Sequence, residues 1–358
     1  MNRIAPRQIY FFLACIAPVG KLVILPAKLV SAAQNDILFP AALHFIIQAA
    51  AIFCVLLLAK RGMTFYELLE NTFGKIVAKI LAVIFALFLL FAALLPLLEQ
   101  KLFVQSALYD MLPSLVAFAP YFVFAAYLCA KPLFNFGRTW DILAPIAIVG
   151  IAGLILFSVT SADFGALAPV GASGGKGFLN GVTMGFSWFF DAALLIPLLG
   201  RIEYRKGLPW KGVLCYLAGG AAVLFFFAVF YGVFQETAIN QLFAFTSTSK
   251  YHSAVTAMGR VDYLFIFLLA LVMAFYATLP LQGGIDCVLQ FSGRKKWLPS
   301  LLGVLVATLF FALSIILDYR FTEVVEAASK TLFWIFPVFS VAIPALMLLL
   351  RRRKREIS

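Results

Sequence analysis

Ten runs of apolar residues, each about as long as a bilayer is thick, divide this sequence almost end to end. They lie at 8–30, 36–59, 77–104, 117–131, 141–161, 178–200, 212–235, 261–290, 298–317 and 332–350. A helix needs about 20 apolar residues to cross the hydrocarbon core. Lipid offers no partner to backbone polar groups, so runs of this kind are confined to helices. The short fourth run and the long third and eighth imply tilt or an interfacial turn. With 64% hydrophobic and only 12% charged residues, the chain could not cover its apolar surface with polar side chains in water. An all-α integral membrane protein follows, a single transmembrane domain over residues 1–358 with short loops and no room for a soluble domain.

The formal charge of +12 would suggest nucleic acid in a soluble protein. Its distribution points to the membrane instead, and no nucleic-acid partner is expected. With the N-terminus on the cytoplasmic side, twenty Lys and Arg fall in loops and tails of that side and five on the other. Such a bias puts both termini inside the cell. The basic tail from Arg351 to Arg355 then reads as a headgroup anchor at the lipid bilayer. The first run is not a cleaved leader, being long, carrying Pro and Lys, and lacking a small-residue cleavage pattern. Cys15, Cys54, Cys129, Cys215 and Cys287 have no paired spacing and read as packing residues.

Between the second and third runs, Phe65, Leu68, Leu69, Phe73, Ile76 and Val77 recur in steps of three and four across 62–79. That spacing predicts an amphipathic helix on the cytoplasmic membrane surface, or a plain interfacial connector, which is the favoured of the two. The stretches 162–177 and 237–258 read as loops covering an outer vestibule. No Ser-His-Asp arrangement, HExxH or phosphate-loop motif occurs; Gly171-Ala172-Ser173-Gly174-Gly175 has the glycines of a phosphate loop without its lysine. The chain is expected to be no enzyme and to need no cofactor or metal.

In a membrane bundle, chemistry is sought where polar groups and broken helices sit at bilayer depth. Ala17-Pro18-Val19-Gly20-Lys21 stands mid-way along the first run. Pro18 removes a backbone hydrogen bond and Gly20 relaxes the chain, giving either a kink or an unwound segment. Lys21 is too deep to reach the interface, and a mid-bilayer ammonium needs a partner or an interior position. Lys28, one to two turns further on, reaches water. The sixth run carries Gly181, Gly185, Trp188, Phe189 and Asp191, with Asp191 near its midpoint. Lys21 and Asp191 each lie within about 4.5 Å of mid-depth, so an ion pair between them, direct or through a ligand, would offset both burial costs. His44, Gln48 and Tyr276 are the other available partners. His44 and Gln48 share a face of the second helix, as packing groups or a proton relay. Glu99 and Lys101 fall near the end of the third run, as interfacial residues or, for Glu99, a possible outer gate. Tyr276, Thr278, Pro280, Gln282, Gly283, Gly284 and Asp286 in the eighth run either line an inner pathway or allow close packing.

Ten spans divide into five and five, and an odd number of crossings makes the second set enter the membrane inverted. The two halves, about 8–161 and 178–350, begin with the two interrupted spans, the pattern expected of a LeuT-type 5+5 inverted repeat with broken helices 1 and 6.

Short motifs add a resemblance. Ile4-Ala5-Pro6-Arg7-Gln8-Ile9, with Leu25-Pro26 after a glycine, resembles the opening of the spore germination receptor B subunits, the endospore germination permease branch of the amino acid/polyamine/organocation superfamily. Thr64-Phe65-Tyr66-Glu67-Leu68-Leu69 through Gly74-Lys75 is similar to that family's approach to its third helix. Leu112-Pro113, Ala119-Pro120, Gly137-Arg138-Thr139 with Pro145, and Arg260-Val261-Asp262-Tyr263-Leu264-Phe265-Ile266 resemble its later helices. The resemblance implies a LeuT-type fold, an amino acid-like ligand between helices 1, 3, 6 and 8, assembly with receptor A and C subunits, and residence in the spore inner membrane. Two positions depart from the family pattern. Ala119 stands where a threonine often precedes the proline, and Lys21 stands where a small or hydroxyl residue is usual, either replacing a coupling cation or binding a ligand carboxylate.

The expected function is therefore a membrane permease-like protein that binds a small solute, an amino acid by class, at the bilayer midplane and senses germination nutrients. The expected binding set is Pro18, Val19, Gly20, Lys21, Gly185, Trp188, Phe189, Asp191 and Tyr276. Amides of Val19, Gly20 and Lys21 would receive a carboxylate, and Lys21 and Asp191 would pair or couple protons. The alternative is a proton-coupled amino acid transporter with true flux, and a third reading is a scaffold with a vestigial pocket.

Overall fold

A chain that must satisfy its backbone within lipid has helix as its only open-ended solution, and the computed structural model adopts it. The structure describes residues 3–107, 114–251, 262–292, 297–316 and 333–356, together with Arg320, Glu323, Ala327, Lys330 and Thr331. Among these residues there is no β-strand, only an isolated parallel bridge between Ile4 and Ile202. Leu112-Pro113 and Arg260-Val261 lie outside the described residues, as do Arg294, Lys295, Lys296 and the end of the 237–258 connector.

Among the described residues, seven helical stretches are long and apolar enough to cross a bilayer: Leu38–Ala59, Lys75–Gln105, Asn135–Ser161, Gly174–Leu198, Leu208–Asn240, Tyr263–Ser292 and Leu298–Ile316. Phe118–Ala130 and Ile335–Leu349 are shorter apolar helices. The first run forms two helices, α1 (Pro6–Val19) and α2 (Leu25–Ala33). α3 is Leu38–Ala59. The burial pattern is that of a membrane bundle: Ile46, Ile76, Leu156 and Ile316 are each more than 60% exposed, while Lys21 and Asp191 have no exposed surface. Large apolar side chains face out toward lipid and charge is held inside. The five cysteines are free thiols.

α11 (Leu208–Phe234) packs along α1 and α3. Gly219 permits this approach to α1, because a Cβ there would clash with the carbonyl oxygen of Ala14. The third run divides into α5 (Lys75–Ala92) and α6 (Leu94–Ala107). Pro96, in the first turn of α6, cannot continue the ladder of α5.

α4 (Phe65–Phe73) corrects the amphipathic helix over 62–79. It starts at a capping box, with the Glu67 amide donating to Thr64 Oγ1 at 3.3 Å and the Thr64 amide donating to Glu67 Oε2 at 2.7 Å. It ends at Gly74, whose φ of +84° suits glycine. Ile76 and Val77 belong to α5 and are exposed, while Phe65, Tyr66, Leu68 and Leu69 are buried against protein. The apolar face of α4 thus packs on α5, the Asp262–Ser292 helix and the C-terminal helix rather than lying in lipid.

On the face that carries α4 and the C-terminal helix, the chain start is strapped to the segment after the sixth span. The Ile4 amide donates to the Arg201 carbonyl at 2.8 Å, and the Glu203 amide donates to the Ile4 carbonyl at 2.9 Å. Beside this strap the Arg201 guanidinium holds both oxygens of Asp286 at 2.7 and 2.8 Å. Gln290 donates to Asp286 at 2.9 Å and accepts the Tyr66 amide at 3.0 Å, which ties α4 to the same cluster.

On the opposite face, the 162–173 segment is fixed to the turn between α2 and α3. Asn35 Nδ2 donates to the carbonyls of Leu167 and Pro169. Asp36 accepts from the amides of Gly171 and Ser173 at 2.7 and 2.8 Å and from the Ser173 hydroxyl at 2.7 Å. Burial raises the Asp36 pKa, but these three hydrogen bonds outweigh it and hold the carboxyl below its ordinary value. Within the glycine-rich Gly171–Gly175 segment, the amides of Gly171 and Ser173 are therefore taken by Asp36, and that of Gly174 by the Gly171 carbonyl.

Candidate functional site

The first run is interrupted at residues 20–24, a few positions beyond Pro18, which stays inside α1. The sixth is interrupted at residues 189–190, between α9 (Gly174–Gly185) with its 3₁₀ extension Phe186–Trp188 and the short α10 (Asp191–Leu195). Each break frees backbone groups at a depth where water is absent, and the structure assigns a partner to several of them.

At the first break, the Val23 carbonyl accepts the Ala244 amide at 2.8 Å, from a helix (α12, Ala244–Lys250) that reaches in from the opposite face. The Lys21 amide donates to Pro18 at 3.1 Å. At the second break, Gln48 acts as a clamp: its Nε2 donates to the Phe189 carbonyl at 2.8 Å and its Oε1 accepts the Ala192 amide at 3.1 Å. Ser340, within a π-helical turn, completes it at 3.1 Å. One turn away on the same face of α3, His44 bonds the Val182 carbonyl at 2.8 Å and stacks on Phe189 at 4.5 Å. His44 and Gln48 thus both serve the broken sixth span.

The two breaks meet through their charges. Lys21 Nζ bonds Asp191 Oδ1 at 2.9 Å and Oδ2 at 2.8 Å, and Tyr216 on α11 donates to Oδ2 at 2.6 Å. Neither charged side chain has any solvent exposure. The Phe189 ring lies 4.9 Å below the ammonium, adding a cation–π contact. A dry pair of this kind is tolerable only with close geometry and further hydrogen bonds, which Tyr216 and Phe189 supply.

Of the expected binding set, the structure joins Lys21 to Asp191, Lys21 to Phe189, and Gly20 to Tyr276. A Cβ on Gly20 would stand 2.5 Å from the Tyr276 hydroxyl. Gly185 serves a different contact, meeting the His44 ring. Pro18 and Val19 lie in the last turn of α1, where a helix end presents carbonyls rather than amides. That differs from the expected carboxylate cradle over Val19, Gly20 and Lys21: the following half-helix begins only at Leu25.

Glu99 lies in α6 with 2% exposure, and its Oε1 accepts the Trp188 indole N–H at 2.7 Å. Lys101 is likewise buried and reaches the Ser314 carbonyl at 3.4 Å. Trp188 also lines a cavity of about 530 Å³ that opens toward the face opposite the strap, between α2, α6, α9, Lys330 and Phe333. Tyr216 went unnoticed in the sequence. A tyrosine in a long apolar run carries no mark of depth, although its hydroxyl must find a partner when buried. Among the described residues, no group of three or more His, Cys, Asp or Glu is placed to hold a metal ion.

A family model described as spore germination protein, a spore permease, matches residues 4–290. Among curated proteins nothing matches. Among solved structures, two variants of the Eremococcus coleocola manganese transporter align with TM-scores of 0.61, at 14% and 15% identity, covering 95% of this chain and 79% of the transporter. The same transporter in complex with an aromatic bis-isothiourea substituted compound aligns with a TM-score of 0.56 at 15% identity. The shared feature is the all-helical, LeuT-type transporter fold.

Proposed function

The chain belongs to the spore germination permease family, and from that premise we propose that it is the B subunit of a nutrient receptor, binding a small solute of the amino acid class. The solute is received at the bilayer midplane between helices 1, 3, 6 and 8, where Lys21, Trp188, Asp191 and Tyr276 converge. The transmembrane domain is built from two inverted halves, 8–161 and 178–350, with both termini in the cytoplasm. In the spore inner membrane it works with receptor A and C subunits.

The observation that supports this reading most is the Lys21–Asp191 ion pair, because it links the break of one helix to the break of another. A ligand that competes for either charge shifts both half-helices at once, which is what a binding event needs in order to change conformation. The filled midplane, with Tyr276 against Gly20 and Tyr216 on Asp191, favours sensing without continuous flux. Proton-coupled flux is the second reading, and the observation on its side is Glu99, a buried carboxyl that accepts from the neutral Trp188 indole.

Reconstitution in liposomes separates them, with binding and uptake of the amino acids measured in parallel, with and without a proton gradient. Binding without uptake is the expected result. Gradient-dependent uptake establishes the transporter, and absence of both binding and uptake removes both readings. Lys21→Met is expected to abolish binding; unchanged affinity would remove the ion pair from the mechanism.

A further inference from the structure

The carboxylate that first suggests itself as receptor for a ligand's amine is Asp191, but its hydrogen-bonding capacity is committed. Both oxygens are on the Lys21 ammonium and one also takes the Tyr216 hydroxyl. Glu99 differs. Its donor is the Trp188 indole, which is neutral, and a carboxylate offers about four lone-pair sites.

Access to Glu99 runs past one side chain. Trp188 bonds Glu99 with its ring nitrogen and forms part of the cavity wall with the rest of its surface. It sits in the 3₁₀ turn immediately before the break at residues 189–190, where no regular helix holds the backbone on its far side. Rotation of this one indole joins the cavity to Glu99. At about 530 Å³ the cavity is within the range of small-molecule sites. Its chemistry is polarised: Lys28 and Lys330 contribute cations toward the open side, and Leu95, Met184 and Phe333 contribute apolar wall.

Resting on the amino acid reading above, we propose that Glu99, not Asp191, receives the ligand's ammonium. A zwitterion with an apolar side chain then enters amine first past Trp188, with its carboxylate left toward Lys28 and Lys330. This reverses the orientation in which a carboxylate would meet the first break.

The test is equilibrium binding to the full-length protein in nanodiscs, using the free amino acids, their N-acetyl derivatives and their carboxyl amides. Among free amino acids that bind, N-acetylation is expected to lower affinity at least tenfold. Glu99→Gln is expected to do the same. The N-acetyl comparison, made on the unaltered protein, keeps the test valid if Glu99→Gln folds poorly, and the thermal midpoint of that variant in detergent shows whether it does. Lys28→Gln should narrow the gap between free acids and amides. Undiminished binding of N-acetyl derivatives, or unchanged affinity in Glu99→Gln, overturns the assignment while leaving the amino acid reading intact. Failure of every free amino acid to bind the unaltered protein overturns both.

Discussion

Lys21 and Asp191, 170 positions apart in the chain, meet in a bidentate ion pair with Nζ–O distances of 2.9 and 2.8 Å at the junction of two interrupted helices. Removing one partner leaves a bare charge in a dry interior, at a cost of about 3–5 kcal/mol. Lys21→Met or Asp191→Asn alone is expected to lower the thermal midpoint in detergent sharply. The double change Lys21→Met with Asp191→Leu should recover most of the loss. Additive losses in the double variant would contradict the pairing.

Gln48 is expected to matter for stability more than an uncharged side chain usually does. Its amide satisfies the Phe189 carbonyl and the Ala192 amide across the second break. Gln48→Leu leaves both unsatisfied, at about 1–3 kcal/mol for each. Hydrogen exchange at Ala192 is the direct readout, and it should quicken in Gln48→Leu while the amides of α11 stay protected.

The contact of Gly20 with Tyr276 gives a rescue experiment. Gly20→Ala places a methyl group 2.5 Å from the Tyr276 hydroxyl, an overpacking that costs about 1–3 kcal/mol. Tyr276→Ala removes all three atoms that clash, the hydroxyl and the ring carbons at 2.6 and 2.9 Å, so Gly20→Ala should be better tolerated in that background. Equal loss in both backgrounds would show that the glycine is needed for its backbone instead.

Asp36 sets a pH dependence on the face opposite the strap. Its carboxyl is held below its ordinary value by Ser173 and Gly171 against the opposing effect of burial. A depressed folded-state pKa contributes stability that is complete above the unfolded value of about 3.9 and is lost as pH falls through the folded value. The 162–173 segment should therefore resist protease at neutral pH and become cleavable only in acid. Asp36→Asn, which no longer titrates, should be more readily cleaved at neutral pH and show a flatter acid response.

How much of this was legible in the sequence differs from residue to residue. The helices lie where the apolar runs do, because length and hydropathy act directly on membrane insertion. The Lys21–Asp191 contact was foreshadowed by a simple requirement, that two opposite charges at similar depth need partners. Glu99 was not, since the third run is longer than the bilayer and counting from its end misplaces depth. The buried side of α4 was equally hidden: spacing reveals an apolar face but not whether lipid or protein covers it. The clamp formed by Gln48 depends on where a distant helix breaks, and no local pattern encodes that.

The ammonium at the centre of this protein is covalently attached. A freely diffusing sodium ion in the same place would come and go with the composition of the medium, whereas a side chain anchored a few bonds from its counter-ion has an effective concentration fixed by the chain alone. The electrostatic balance joining Lys21 to Asp191 is therefore expected to be indifferent to external salt, so the resting conformation should persist unchanged from dilute to concentrated surroundings.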